Sequence, residues 1–61
     1  MPIVNIHILE GRSVDQKRKL VKSVTEAICT SLDVKPEKVR IIVTNMNNDD
    51  YSIAGKLMID S

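Results

Sequence analysis

Pro2, which directly follows the initiator Met1, has the most distinctive chemistry of any residue in this sequence. Small residues at this position generally permit enzymatic removal of the methionine, and the chain would then begin with a free prolyl nitrogen. That nitrogen is a secondary amine, which can accept and deliver a proton as general acid–base catalysis requires. Proline also lacks an N–H and is tolerated at the first position of a strand, so the residue has a purely structural interpretation as well.

Two arginines provide fixed positive charges at separate places along the chain. Arg12 lies in a loop after the first predicted strand, where a solvated side chain is the simplest interpretation. Arg40 lies inside the second predicted strand, where a permanent cation is costly unless an anion meets it. That anion is either an acidic side chain, such as Glu10, Glu37 or an acid across a subunit interface, or a bound ligand. The spacing alone favours neither.

The histidine and the cysteine carry less chemistry. His7 is the only histidine and Cys29 the only cysteine, which excludes disulfides within the chain and offers no Cys/His metal site. We predict a structural role for His7 in its strand and for Cys29 as a small helix residue. The unpaired cysteine, and an N-terminal segment that reads as neither signal peptide nor membrane span, predict a cytoplasmic protein.

The composition argues against two classes of partner. Nine Lys and Arg against eight Asp and Glu give a formal net charge of +1, which provides no general attraction to nucleic acid or to an anionic membrane. Tyr51 is the only aromatic residue, so bases have no aromatic platform on which to stack. A basic cluster near the start of the predicted helix is interpreted as a solvated face. The cluster contains Lys17, Arg18, Lys19 and Lys22.

The elements that must position these residues follow from the apolar spacing. Ile3 to Leu9 predicts a strand with one fully apolar face. Ser13 and Gln16 fit a capping box, which predicts the start of a helix. An apolar stripe then runs at helical spacing to about residue 32, and Lys17 is expected outside it. The stripe contains Leu20, Val21, Val24, Ala27, Ile28, Ser31 and Leu32.

The second half of the chain predicts another strand and a hairpin. Val39 to Met46 has apolar residues on both faces, the pattern of a strand in a sheet that is enclosed on both sides. Residues 47–50 form a turn by composition. Lys56 to Ile59 is predicted to pair as a short strand, in a hairpin around Ala54 and Gly55.

Two strands joined by a helix predict a single α/β domain over residues 1–61. We expect a small β-α-β unit with parallel strands and a right-handed crossover, followed by the short C-terminal hairpin. A chain of 61 residues is short, and a domain of this size buries only about 60% of the surface that its unfolded form exposes. Strand edges and one face of the sheet also stay uncovered, so the fold is expected to be completed by oligomerisation.

The sequence resembles the 4-oxalocrotonate tautomerase family over nearly its whole length. The resemblance rests on the opening P-I-V-N-I-H-I-L-E-G-R-S, on R-I-I-V-T in the second strand, and on an aromatic residue after a polar turn. The ten-residue separation of Pro2 from Arg12, with Arg40 in the second strand, is its most specific part. The resemblance implies a hexamer of three dimers that tautomerises small unsaturated 2-hydroxy or 2-keto acids without a cofactor or a metal.

The resemblance also implies roles for four residues. Pro2 is the general base and acid, Arg40 and Arg12 bind and polarise the substrate, and Tyr51 stands where the family usually has phenylalanine. Apolar surroundings and two nearby cations would lower the pKa of the prolyl amine, because both disfavour its charged form. Two alternatives stay open, namely hydration or dehalogenation of a small unsaturated acid at the same site, and a non-enzymatic oligomer that binds an anion.

Overall fold

The structure is a computed structural model that describes residues 1–61. Strand β1 spans Ile3–Leu9, helix α1 spans Val14–Leu32, strand β2 spans Arg40–Met46, strand β3 spans Ser52–Ile53 and strand β4 spans Lys56–Leu57. Short 3₁₀ turns cover Pro36–Lys38 and Met58–Asp60. β1 and β2 are parallel neighbours joined through α1, and β3 pairs with β4 in an antiparallel hairpin. The predicted β-α-β unit and C-terminal hairpin are therefore confirmed.

The parallel sheet has one partly covered face and one open face. Ile3 of β1 lies opposite Arg40 of β2, and Leu9 lies opposite Met46, so the two strands pair along their full lengths. Alternate residues of both strands are half-buried, as the apolar spacing of Val4 and the residues after it predicts. The half-buried set is Val4, Ile6, Ile8, Ile41 and Val43, and the exposed set is Ile3, Asn5, His7, Arg40, Ile42 and Thr44.

Helix α1 begins at the predicted capping box. The Ser13 hydroxyl accepts a hydrogen bond from the Gln16 backbone N–H at 3.1 Å, and the Gln16 side-chain oxygen accepts one from the Ser13 N–H at 2.9 Å. Two N–H groups that have no partner within the helix are thereby satisfied. The helix ends at Asp33, whose φ of 53° places it in the left-handed conformation that stops the helix.

The face that α1 turns inward differs slightly from the predicted stripe. Ala27, Ser31 and Leu32 are exposed, whereas Lys17, which was expected outside the stripe, is half-buried. Lys17 precedes Leu20 by three residues and Val21 by four, and such residues share one face of a helix. The prediction that Lys17 lies outside the stripe is therefore wrong, because its spacing from Leu20 and Val21 places it on the same face.

Two strand boundaries also differ from the prediction. β2 begins at Arg40 rather than Val39, because Val39 closes the preceding 3₁₀ turn by donating its N–H to the Pro36 carbonyl at 3.1 Å. β4 ends at Leu57 rather than Ile59, because Met58–Asp60 turns into a 3₁₀ segment. Single 3₁₀ turns of this kind commonly begin or end regular elements and leave little trace in apolar spacing.

A single chain does not form a closed core. None of the 61 residues is buried. The accessible surface is 4860 Å², whereas a compact monomer of 6.8 kDa exposes roughly 4,000 Å². The radius of gyration is 14.5 Å, compared with about 10.5 Å for a compact chain of this length. The chain is thus an open, elongated unit, 43 Å long and 13 Å thick.

Candidate active site

Pro2 and Arg40 lie together at the amino end of the sheet. The Pro2 carbonyl accepts a hydrogen bond from the Arg40 backbone N–H at 3.0 Å, which continues the pairing of β1 with β2 by one residue. Pro2 is half-buried, and Met1, which acylates its nitrogen, is exposed. Parallel pairing thus fixes the position of the residue that we predicted as the base relative to one of the predicted arginines.

The Arg40 side chain lies on the open face of the sheet, beside Ile42. Its Nη1 donates a hydrogen bond to the backbone carbonyl of Glu37, in the 3₁₀ turn that leads into β2. No carboxylate of the chain pairs with Arg40, because the only ion pair joins Arg18 to Asp15. The guanidinium carries five N–H donors, so it is anchored by one contact and keeps donors for an anion from outside the chain.

Arg12 lies at the opposite end of the sheet. Gly11 precedes it with a φ of +109°, a conformation that side chains rarely adopt, and this lets the chain turn sharply after β1. Seven strand residues at about 3.3 Å each separate the two ends by roughly 20 Å. Arg12 therefore cannot reach Pro2 of its own chain.

Tyr51 belongs to the same end as Arg12, because hydrogen bonds tie the two segments together. Glu10 donates its N–H to the Met46 carbonyl at 2.7 Å, and its Oε1 accepts the N–H of Asn48 at 3.3 Å. The Asn48 carbonyl in turn accepts the N–H of Ile59 at 3.0 Å. The Tyr51 carbonyl accepts a hydrogen bond from the Met58 N–H at 2.8 Å, and Tyr51 is 38% exposed.

Two shallow pockets adjoin Arg12. The first has a volume of about 280 Å³ and an apolar floor with two cations beside it, and the second has about 500 Å³ and includes a carboxylate. The first is lined by Ile8, Arg12, Gln16, Lys17 and Leu20. The second is lined by Ile8, Leu9, Glu10, Gly11, Arg12 and Asn48. Lys17 is the lining residue that the sequence interpretation missed, although its spacing from Leu20 was the available signal.

The four predicted site residues are thus divided between two ends of one chain. Pro2 and Arg40 lie at the amino end of the sheet, and Arg12 and Tyr51 lie at the carboxyl end. No three His, Cys, Asp or Glu side chains come together as metal ligands. None of the helices combines the length and the apolar character that are needed to cross a lipid bilayer.

The chain is similar to known proteins in both sequence and structure. The family model for tautomerase enzymes matches residues 2–60. A 2-hydroxymuconate tautomerase of Pseudomonas putida is 51% identical over 57 residues, which cover 93% of this chain and 90% of the relative. A solved 4-oxalocrotonate tautomerase isozyme from Methylibium petroleiphilum is 41% identical, with a TM-score of 0.93 and coverage of 95% of this chain and 91% of that one.

A second solved structure extends the comparison to an assembly. A heterohexamer 4-oxalocrotonate tautomerase from Chloroflexus aurantiacus is 30% identical, with a TM-score of 0.93 and coverage of 98% of this chain and 97% of that one. The predicted resemblance is therefore confirmed along nearly the whole chain. With a family model matched over residues 2–60 and relatives that cover nearly their full lengths, this chain belongs to the tautomerase family and is an isomerase of the 4-oxalocrotonate tautomerase type.

Proposed function

We propose that this isomerase interconverts the 2-hydroxy and 2-keto forms of small unsaturated acids, with the free amine of Pro2 as its acid–base group. The observation that carries the proposal is the hydrogen bond between the Pro2 carbonyl and the Arg40 N–H, which fixes the Pro2 backbone at the end of the sheet where Arg40 begins β2. The 2-hydroxymuconate tautomerase relative supports this substrate class. The single unpaired Cys29 fits a cytoplasmic location.

The proton transfer needs one group that first accepts and then delivers a proton. The unprotonated Pro2 nitrogen takes the proton from the 2-hydroxyl oxygen, which leaves a dienolate and a prolinium ion. The prolinium then delivers the same proton to carbon and the 2-keto acid forms. Arg40 stabilises the negative charge on the dienolate oxygen, and its planar fork suits an oxygen pair of the substrate.

The complete site is proposed to lie between chains. Arg12 and Tyr51 are roughly 20 Å from Pro2 in their own chain, since β1 separates them. A partner whose carboxyl end meets the amino end of this chain would supply both residues. Two such units would also join their sheets into four strands, and three such dimers would make a hexamer. The heterohexamer relative supports an assembly of six chains. Arg12 would then bind the distal carboxylate, while the Tyr51 ring limits the access of water.

The test compares two chemically synthesised chains, one beginning at Met1 and one beginning at Pro2. Intact mass confirms each chain, and ultraviolet absorbance follows the conversion of 2-hydroxymuconate. An amide nitrogen is not a base, so we expect the Met1 chain to be at least 100-fold less active at the same oligomeric state, within the about 10²–10⁴-fold contribution of general acid–base catalysis. Equal activity of the two chains would rule out Pro2 as the base.

A further inference from the structure

We propose that Lys17 is a specificity-determining residue that binds, together with Arg12, the distal carboxylate of a dianionic substrate. The proposal rests on the proposed function, because it requires a substrate that reaches Arg12. The sequence interpretation placed Lys17 on a solvated face with three other basic residues. Its position in the structure is different from theirs.

The first pocket beside Arg12 has the composition of a small anion site. Ile8 and Leu20 form its floor, and the charged groups that line it are Arg12 and Lys17. No acidic side chain lines it. Its volume of about 280 Å³ is close to the lower end, roughly 300 Å³, of pockets that bind small molecules. A compact unsaturated acid fits this volume, with its carbon chain over the floor and its carboxylate between the cations.

Charge complementarity distinguishes this pocket from its neighbour. Arg12 lines both pockets, but the second one also contains Glu10. A carboxylate there would repel an anionic substrate, since like charges in one site disfavour each other. A distal carboxylate held by Arg12 is therefore expected on the Lys17 side of the guanidinium.

Lys17 is also the member of the basic cluster that has no competing role. Arg18 forms an ion pair with Asp15 at 2.6 Å, and Lys19 and Lys22 are exposed. Lys17 is half-buried and has no carboxylate within ion-pair distance. Its polar neighbour Gln16 uses the side-chain oxygen in the capping box. The ammonium of Lys17 thus keeps its three donors for a ligand.

The two cations would act differently on a carboxylate. Arg12 presents a planar fork that can hold both oxygens, whereas Lys17 is a compact charge on a flexible stem. The second charge adds most to the binding of a substrate with a distal carboxylate. It adds little for a substrate that has only the carboxylate next to the reacting carbons, because that group lies at the Pro2 end.

The experiment measures KM and kcat for a dicarboxylate, 2-hydroxymuconate, and for a monocarboxylate, the enol of phenylpyruvate. Lys17→Met removes the charge and keeps much of the stem, Lys17→Arg keeps the charge, and Lys19→Met is the matched control on the exposed part of the same helix turn. Arg12→Ala is measured alongside them. All variants are compared at one protein concentration after light scattering has verified the same oligomeric state.

We expect Lys17→Met to raise KM for the dicarboxylate about fivefold to tenfold and to change kcat less than twofold, since binding made equally in ground and transition states appears in KM. The monocarboxylate should be affected less than twofold, and both Lys17→Arg and Lys19→Met should stay within twofold of the parent for both acids. Raising the salt concentration should weaken dicarboxylate binding less in Lys17→Met than in the parent chain. Lys17→Gln repeats the comparison if Lys17→Met does not assemble.

Three outcomes would overturn the proposal, and each has a separate meaning. Equal effects of Lys17→Met on both acids would indicate a packing role for the Lys17 stem. Lys17 would be excluded as a ligand if Lys17→Met gave the same kinetics as Lys19→Met while Arg12→Ala still affected the dicarboxylate more than the monocarboxylate. The proposed function would then stay intact. A parent chain beginning at Pro2 that is inactive on both acids would instead overturn the proposed function itself.

Discussion

Pro2 can accept a proton only after Met1 has been removed, because an amide nitrogen has its lone pair delocalised into the carbonyl. At the residue scale, the proposed chemistry thus depends on one processing step and on two positive charges whose positions are fixed by different elements. Arg40 is tied to Pro2 through the strand pairing and to Glu37 through its guanidinium. Arg12 has no such tie to Pro2, so the two arginines should not be equivalent.

The first prediction separates the two arginines. In the proposed mechanism Arg40 meets the charge that develops on the dienolate oxygen, so Arg40→Ala should mainly lower kcat. In the same proposed mechanism Arg12 binds a carboxylate that does not react, so Arg12→Ala should mainly raise KM for a dicarboxylate. Each loss of a charged hydrogen bond is worth about 1.5–3 kcal/mol, which corresponds to at least a tenfold change. Steady-state kinetics measures both effects, and small, equal effects of the two variants on every substrate would contradict the assignment.

The second prediction concerns the pH dependence of the chain that begins at Pro2. The reactive form of the amine is unprotonated, so kcat/KM should fall as the pH drops through the pKa of the amine. In the proposed site the two arginines disfavour the prolinium and should hold that pKa below the value of the same amine in the free peptide Pro-Ile-Val. Arg40→Ala should move the kinetic midpoint upwards. A midpoint equal to that of the free peptide, in both the parent chain and the variant, would show that the arginines leave the amine unaffected.

At the element scale, the local spacing of apolar and capping residues predicts the regular elements, but it does not predict how they form the site. The alternation from Ile3 to Leu9 and the Ser13–Gln16 capping box predict β1 and the start of α1, because both signals are local. The prediction for Lys17 is wrong because it relied on the charge of the residue. The stem of a lysine can lie along apolar surface while its ammonium stays in water. No spacing reveals that Asn48 bonds to Glu10, 38 residues away, so the joining of the Arg12 and Tyr51 segments is a tertiary result.

The third prediction uses the two-residue turn of the C-terminal hairpin. Ala54 and Gly55 both have positive φ, at 54° and 82°, as a type I′ turn requires. Alanine is sterically disfavoured in this conformation, and asparagine tolerates the conformation better. Ala54→Asn should therefore stabilise the hairpin by about 0.5–1 kcal/mol. Ala54→Val should have the opposite effect, because a β-branched residue is disfavoured at positive φ. Thermal unfolding at a fixed protein concentration measures the change in stability of both variants. A lower Tm for Ala54→Asn than for the parent chain would contradict the assignment of a type I′ turn.

At the scale of the whole molecule, the chain has the surface of an incomplete unit. Ile3 and Ile42 are each 55% exposed on the open face of the sheet, and Ile53 is 59% exposed on the hairpin. The accessible surface exceeds that of a compact monomer by several hundred Å², which is comparable to the roughly 800 Å² that each partner buries in a standard interface. In the proposed site, the division of the site residues between the two ends of the chain gives the same interface a catalytic purpose.

The last prediction tests whether one active site draws residues from two chains. Pro2→Ala and Arg12→Ala are prepared separately, denatured, mixed in equal amounts and refolded together. If Pro2 of one chain works with Arg12 of another, random assembly leaves about one quarter of the sites with both native residues, and the mixture should recover about one quarter of the parent activity towards the dicarboxylate. Each variant refolded alone is the control, and sedimentation or light scattering confirms assembly. If both residues acted within one chain, no site in the mixture would be intact, and activity would stay at the average of the two variants.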